Sequence, residues 1–521
     1  MQNAECKMQN DEWGMTMRLT VIGNGARREI DAREGETVLA ALRRAGIAAP
    51  EAPCGGNGTC KKCLVTVDGR EVLACRTAVT GDHTVVLPEQ NAGAVIADAG
   101  RGVDFPLTPG EGLGAAVDIG TTTVVVHLYD RTSGALLGTR SGVNRQRAFG
   151  ADVISRIQYA MTNADGLEQL TGAIRGQLNG YLEELCAAAG RSLDELSAVT
   201  VAANTVMEHI YAGLSPASIA AAPFTPLSLF GAWESGGKFG LPEHTRVFLA
   251  PAVAGYVGGD ITAGILASGA YRAERPVLFL DVGTNGEMAL GSADGGFLCC
   301  ATAAGPAFEG AVISQGMSAC DGAISRVELA DGKVAVSVLG GGKATGVCGS
   351  GLVDALAVML ELGAVDETGR LLPPDEAPEE ALPYLEEDED GGVRFRLAGD
   401  VYITDADVRQ LQLAKAAIAA GICTLLDEAG LEEDDLACLY LAGGFGNYIR
   451  RESAAAIGLL PPSMVERIVG VGNSAGRGAA AALLSAQARD ILDGLPGRCR
   501  YIELSGHRAF NDYYIDCMMF E

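Results

Sequence analysis

The sequence predicts a multidomain protein of mixed α+β and α/β class, and three observations predict it. A cysteine- and glycine-rich stretch near the start, CGGNGTCKKCLVTVDGREVLAC, is flanked by short alternating strand patterns. A glycine- and proline-rich interval follows, PEQNAGAVIADAGRGVDFPLTPGEG, with little periodicity, and reads as a linker. Behind it, two apolar strands far apart in the chain end in the same Asp-x-Gly-Thr turn, and each opens a segment of mixed strand and helix character. At 521 residues the chain is too long for one core, so about three or four domains are expected.

In the N-terminal region, MRLTVIG (Met17 to Gly23) and REIDAR (Arg28 to Arg33) alternate as strands, and Asn24-Gly25 between them is a strong hairpin signal. TVLAALRRAGI then switches to helical spacing, with Thr37 as N-cap and Gly46 as terminator. CLVTVDGREVLAC reads as a second hairpin around Asp68-Gly69 that returns Cys75 toward Cys63, and HTVVLP is a last strand. Cys54, Cys60, Cys63 and Cys75 have the crowding of an iron–sulfur site, since a plant-type [2Fe-2S] cluster takes a C-x₄-C-x₂-C run and a fourth cysteine further on. Here the first gap is one residue longer. Gly55, Gly56 and Gly58 suit a loop that brings backbone N–H groups to sulfides. Zinc or a disulfide-linked turn is the alternative, but zinc sites favour two paired knuckles separated by a longer span. The order strand, strand, helix, cysteine loop, hairpin, strand resembles the β-grasp [2Fe-2S] ferredoxins over residues 15–90.

Ten of the fourteen cysteines lie outside this region or framework, scattered as in Cys299, Cys300, Cys320, Cys348 and Cys438, which suits reduced core thiols. A net charge of −27 argues against nucleic acid as a partner, because phosphate binding needs a positive footprint. The acidity is densest in DEAPEEALPYLEEDEDGG (375–392), which reads as an exposed insertion. No run approaches the roughly 18 apolar residues of a membrane span, and the first residues are polar, so no membrane association and a cytoplasmic location are expected. The five histidines are scattered singly, and His127 and His209 read as packed imidazoles rather than ligands.

AAVDIGTTTVVVHLYD (Ala115 to Asp130) and LFLDVGTNGEMAL (Leu278 to Leu290) each deliver a carboxylate, Asp118 or Asp281, to a strand end. The turns that follow, Gly120-Thr121-Thr122 and Gly283-Thr284-Asn285, present N–H groups and hydroxyls: an anion cradle beside a magnesium anchor. Mg²⁺ keeps most of its waters, so two carboxylates can hold it at one remove while phosphates take its inner face. LYLAGGFGNYI supplies a glycine loop, Gly443, Gly444, Phe445 and Gly446, that lets backbone approach a nucleotide. GGGKATG at Lys343 and GVGNSAG near Gly472 complete neither a P-loop nor a dinucleotide fingerprint. In this order the three motifs resemble the phosphate and adenosine motifs of the acetate and sugar kinase, Hsc70 and actin (ASKHA) superfamily. That resemblance implies a duplicated actin-like fold binding ATP.

NRQRAFGADVISRI, AANTVMEHIYAG, APAVAGYVGGD, TAAGPAFEGA, GVCGSGLVDALA and GLLPPSMVERIVGVGNSAGRGAA resemble the reductive activators of corrinoid proteins. The resemblance spans almost the whole chain from residue 17. It implies a ferredoxin-like domain (15–90), a linker (91–113), and two actin-like ATPase portions, middle (114–275) and C-terminal (276–521). It further implies a homodimer that draws electrons from an upstream low-potential donor. The partner implied is the corrinoid protein of a methyltransferase or O-demethylase system, reduced from Co(II) to Co(I) at the expense of ATP. The chain departs from longer members in its short linker, and it lacks the C-terminal cysteine clusters of related activators with two [4Fe-4S] centres. Plant-type clusters lie near −400 mV, so the resemblance implies an uphill reduction, for which an ATP-driven change in the corrinoid's environment can supply the bias. Asp118 and Asp281 are expected to orient magnesium and the attacking water. Glu309 in AAGPAFEG is a further candidate carboxylate, the other reading being a surface glutamate after a turn. Two rivals remain: an ASKHA-type small-molecule kinase with an appended redox-sensing domain, and a scaffold whose cleft has decayed. The two intact Asp-x-Gly-Thr turns argue against the second.

Overall fold

β1 (Thr16–Gly23) and β2 (Ala26–Arg33) pair antiparallel, from Thr16 opposite Arg33 to Gly23 opposite Ala26, which leaves two residues for the turn. The computed structural model describes residues 16–23, 26–45, 47, 58, 63–88, 105–387, 391–446 and 448–520, so Asn24-Gly25 and the expected terminator Gly46 lie outside the described residues. α1 (Val38–Arg44) starts where its cap predicts: the Thr37 hydroxyl accepts from the Ala40 N–H, and Val38, Leu39, Ala41 and Leu42 are buried. β3 (Leu64–Val67) and β4 (Arg70–Leu73) are joined by Asp68 (φ 50°) and Gly69 (φ 82°), the left-handed pair that a type I′ hairpin requires. β5 (His83–Val86) enters between β1 and β3, parallel to β1, giving the order β2-β1-β5-β3-β4. Asp68 ties that strand to the hairpin: its carboxylate accepts from the Thr84 N–H and the His83 ring, and these bonds hold its pKa below the usual value. Leu19, Leu39, Val65 and Val85 form the core under this β-grasp sheet together with Cys63 and Cys75.

Residues 1–91 with 145–151 form one unit of the chain, and 92–144 with 152–521 form the other. In the second unit, β6 (Leu113–Ile119), β7 (Thr123–Asp130) and β8 (Leu136–Val143) are an antiparallel meander. After α2 (Val153–Thr162) and α3 (Gly166–Ala188), β9 (Leu196–Ala203) adds parallel to β6. α4 (Thr205–Ala212) and β10 (Trp233–Ser235) precede β11 (Arg246–Leu249), which is parallel to β9 and leads into α5 (Gly259–Ser268). The strand order is β10-β11-β9-β6-β7-β8.

The same plan recurs. β12 (Val277–Val282), β13 (Gly286–Ser292) and β14 (Gly296–Thr302) form the second meander. An inserted region follows, with β15 (Ala323–Ala330), β16 (Lys333–Val338), β17 (Gly346–Val347) and α6 (Gly349–Glu361). It continues through β18 (Leu385–Glu387), β19 (Val393–Ala398) and β20 (Val401–Thr404), after which α7 (Asp405–Ala429) packs on β13 and β14 as α3 packs on β7 and β8. β21 (Leu439–Ala442) then pairs parallel with β12, and after α8 (Arg451–Ala456), β22 (Ile468–Gly472) pairs parallel with β21. α9 (Ser474–Leu484), α10 (Ala486–Gly494), β23 (Cys499–Tyr501) and α11 (Arg508–Asp516) complete it, with sheet order β22-β21-β12-β13-β14-β23. In both sheets a meander is extended by two parallel strands on the side of its first strand, as the sequence echo implies. α5 and α9 pack so closely that a Cβ on Gly478 would lie 2.2 Å from the Ala263 carbonyl oxygen.

The described end of the linker is fastened to this second unit. Phe105 stacks on Tyr271 at 6.3 Å between ring centroids. The Thr108 N–H donates to the Leu484 carbonyl, and its hydroxyl accepts from the Ala486 N–H. The acidic stretch is more structured than an exposed insertion: β18 pairs with β19, Leu385 is buried, and Glu386 pairs with Arg394 and Arg396 at 3.1 and 3.2 Å. Its apolar residues supply the packing that its acid count conceals. No helix among the described residues is long and apolar enough to cross a membrane.

Candidate active site

Cys63 precedes β3 and Cys75 follows β4, so the hairpin returns one to the other; the Ala74 N–H donates to the Cys63 carbonyl at 2.8 Å, and both side chains are buried. Gly58 has φ +75°, and a Cβ there would meet the Arg76 guanidinium nitrogen at 2.4 Å. Cys63 and Cys75, both buried at the foot of the hairpin, are the two of the four expected cluster ligands that the structure describes. Cys54 and Cys60, with Gly55 and Gly56, lie outside the described residues.

In the second unit, Asp118 sits near the end of β6 and Asp281 near the end of β12. Three contacts fix the first turn from behind: the Asn144 side chain donates to the Gly120 carbonyl, the Asn144 N–H to the Thr122 carbonyl, and the Arg156 guanidinium to the Thr121 carbonyl. The Thr121 hydroxyl accepts from the Asn204 amide at 3.2 Å. In the second turn the Gly283 N–H donates to the Asn285 carbonyl, and the Asn285 amide donates to Glu287. Glu309 joins the two turns: the Thr122 hydroxyl donates to its Oε2 and the Thr284 hydroxyl to its Oε1, both at 2.6 Å.

The electrostatics are those of acids without counter-ions. Burial, followed by the neighbouring Asp281 charge, raises Asp118 to about 7, opposed by a hydrogen bond from Asn473. Burial raises Asp281 to about 6. Asp260, in the first turn of α5, is raised to about 8 by burial and by facing Asp281 and Asp118. Behind them Glu287 and Glu208 are pushed well up by burial and by Asp260, and both Glu208 carboxylate oxygens are buried without a hydrogen-bond partner. Among the described residues no lysine or arginine forms an ion pair with any of these five carboxylates. Such a cluster is relieved by protons or by a cation, and its raised carboxyl pKa values mark it as a candidate functional site.

The glycine loop follows β21, whose Ala442 lies in register with Asp281. Gly443 has φ +91°, and a Cβ there would come within 2.7 Å of the Asp281 carboxylate and 2.6 Å of the Val282 carbonyl; glycine is required for the loop to pass. Gly444 is exposed, with nothing within 4 Å of its Cβ position, whereas Gly446 packs on the Ala442 carbonyl. Phe445 stacks on Phe308 at 4.8 Å, next in sequence to Glu309.

The C-terminal domain of RACo, the ASKHA domain, matches residues 275–521; the RACo middle region matches 113–273; a 2Fe-2S iron–sulfur cluster binding domain matches 21–85. The corrinoid activation enzyme RamQ of Eubacterium limosum is 32% identical, over 90% of this chain and 93% of that protein. A solved structure described as a reductive activator for corrinoid, iron–sulfur protein superposes with a TM-score of 0.71 at 31% identity, covering 97% of this chain and 98% of that one. The chain belongs to the family of reductive activators of corrinoid proteins. Within the same family theme, the [Co(II) methylated amine-specific corrinoid protein] reductase of Methanosarcina barkeri is 29% identical over 44% of this chain and 43% of that protein.

In this family member Asp118 faces Asp281, Thr122 and Thr284 meet at Glu309, Thr121 is held by Asn204, and Gly443 lies beside Asp281. Sequence reasoning missed Asp260, Glu208, Glu287, Asn144, Arg156, Asn204 and Asn473. The last two had a signal: Asn204 and Asn473 each follow a parallel strand and cap the next helix, accepting from Met207 and Gly476. GVGNSAG, rejected as a dinucleotide motif, is that strand-to-helix turn. His127 and His209 are packed imidazoles; His209 donates through Nδ1 to the Thr205 carbonyl and accepts at Nε2 from the Leu227 N–H.

Proposed function

We propose that this chain reduces the inactive Co(II) state of a corrinoid protein to Co(I), one electron at a time, and drives that step with ATP. The observation that carries the reading is the facing pair of Asp-x-Gly-Thr turns with uncompensated carboxylates, in a chain that also carries a buried-thiol hairpin. When bound, a [2Fe-2S] cluster held by Cys54, Cys60, Cys63 and Cys75 supplies single electrons, and Mg²⁺ neutralises phosphate charge. Asp118 and Asp281 would hold a magnesium ion at this site and orient the attacking water. The N–H groups and hydroxyls of 120–122 and 283–285 receive the phosphates, and the 443–446 loop receives the adenosine. Glu309 acts at the phosphate end through Thr122 and Thr284. The division into 15–90, 91–113, 114–275 and 276–521 separates donor from nucleotide cleft. An upstream low-potential donor feeds the cluster, the protein is a cytoplasmic homodimer, and the corrinoid protein belongs to a methyltransferase or O-demethylase system.

Relatives named for corrinoid activation and for Co(II) corrinoid protein reduction support this reading. The test is anaerobic: reconstituted protein, a Co(II) corrinoid protein, a chemical reductant and Mg–ATP are mixed, and the Co(I) absorption band is followed. The band is expected only with nucleotide and is lost in Cys63→Ser. A band independent of both, or transfer of the terminal phosphate to a small acceptor instead, defeats the proposal.

A further inference from the structure

Glu309 ends the single helical turn Pro306–Glu309 that follows β14, and Gly310 behind it takes φ +72°. Its two oxygens are used separately, one by each half of the duplicated fold: Oε2 by Thr122 of the β6–β7 turn, Oε1 by Thr284 of the β12–β13 turn. A hydroxyl has one proton to give. Both protons go to a carboxylate that spans the cleft, at the 2.6 Å separation of a charge-assisted O–H···O bond. A phosphate oxygen is the same kind of acceptor for the same two donors, so these protons cannot serve Glu309 and a terminal phosphate at once.

We infer that Glu309 is a positioning residue that reports the terminal phosphate: its carboxylate holds the Thr122 and Thr284 hydroxyls until the third phosphate of ATP takes them over. The inference rests on the ATP-cleft reading above and adds to it a role for one side chain. The turn that carries Glu309 is built to pass the exchange on. Phe308, its neighbour, stacks on Phe445 of the glycine loop at 4.8 Å. The start of α6 presses on the same pair, since a Cβ on Gly349 would lie 1.8 Å from the Phe308 carbonyl oxygen and 2.8 Å from the Phe445 ring. Release of Glu309 therefore moves a turn in contact with both the adenosine loop and α6, and a diphosphate, which lacks the competing group, leaves the bridge in place. ATP and ADP states then differ in this turn, which is the distinction an ATP-driven activator needs.

The experiment is calorimetric titration of the full, cluster-loaded chain with Mg–ATP and with Mg–ADP, in wild type, Glu309→Asp, Glu309→Gln and Glu309→Ala. Aspartate keeps the charge but is too short to reach both hydroxyls; glutamine keeps the length with a single acceptor oxygen. If the bridge competes with the terminal phosphate, Glu309→Asp and Glu309→Ala bind Mg–ATP about tenfold more tightly while Mg–ADP changes by less than about threefold, and Glu309→Gln lies between. Wild-type behaviour in Glu309→Asp, equal tightening for both nucleotides, or weaker Mg–ATP binding in Glu309→Ala overturns the inference. Absence of binding in the wild type as well overturns the ATP-cleft reading itself.

Discussion

Asp281→Asn separates the stability of the cleft from its chemistry. Asparagine keeps the shape that Gly443 packs against while removing one of the facing charges. Burial raises the Asp281 carboxyl from 3.8 to about 6. An acid whose folded pKa lies above its unfolded pKa stabilises the fold fully below the unfolded value, and that contribution is lost as pH rises through the folded value. The penalty is therefore only about a fifth developed at pH 4 and nearly complete by pH 7. A shift from 3.8 to about 6 at 1.36 kcal/mol per unit corresponds to about 3 kcal/mol. Because Asp281 is only partly buried, solvent screening reduces this to roughly 1–2 kcal/mol. Asp118 and Asp260 gain in addition, since each is pushed up partly by the Asp281 charge. The assay is thermal unfolding in EDTA without nucleotide, at pH 4 and pH 7, with visible absorbance reporting the first unit separately. The variant should unfold a few degrees above wild type at pH 7, exceed it by only a small fraction of that at pH 4, and hydrolyse no ATP. A stability difference independent of pH, or a variant less stable than wild type at pH 7, refutes the reasoning.

Asn473→Ala should act twice: loss of the cap bond to Gly476 costs α9 about 1 kcal/mol, seen in denaturant unfolding. Loss of the bond that lowers the Asp118 pKa shifts the acid limb of the hydrolysis pH profile to higher pH. Mg–ATP binding near pH 7 should release protons, because Asp118 and Asp260, raised to about 7 and about 8, must ionise beside a cation. Calorimetry in buffers of different ionisation enthalpy measures this, and the release should fall away above pH 9 and shrink in Asp118→Asn.

What was legible in the sequence is what local chemistry determines. Asp68-Gly69 permits one kind of turn, and Thr37 caps one helix, so the ferredoxin-like hairpin and α1 follow from a few adjacent residues. The echo of Asp118 and Asp281 is legible because the same strand-to-turn problem is solved twice. Asp260 and Glu208 are different: each reads as an acidic residue in a helix's first turn, a common surface placement, and only the packing of α4 and α5 on β9, with α5 also on β12, turns them inward. Glu309 was a candidate without a partner, and its two partners lie 187 and 25 residues away on opposite halves. The acidic stretch at 375–392 misled for the converse reason: charge density hid Ala381 and Leu385, which belong to the core.

The carboxylates and Glu309 together give the cleft a direction. Asp118, Asp260 and Asp281 repel one another in a site with no basic ion-pair partner among the described residues, so an incoming cation relieves a strain that the fold itself maintains. The Thr122 and Thr284 hydroxyls, already saturated by Glu309, impose the opposite condition on the anion, which must displace a bound group to enter. On the proposed reading, cation entry would be favoured by the ground state and anion entry opposed by it, so Mg–ATP would exchange the Glu309 bridge between the halves for a phosphate bridge. Hydrolysis would then remove the group proposed to compete with Glu309 while leaving the carboxylates in place, and the bridge would re-form. A cycle in which the bridge opens and closes once per ATP uses differential interaction with two states, which is the one way a ligand shifts a conformational equilibrium.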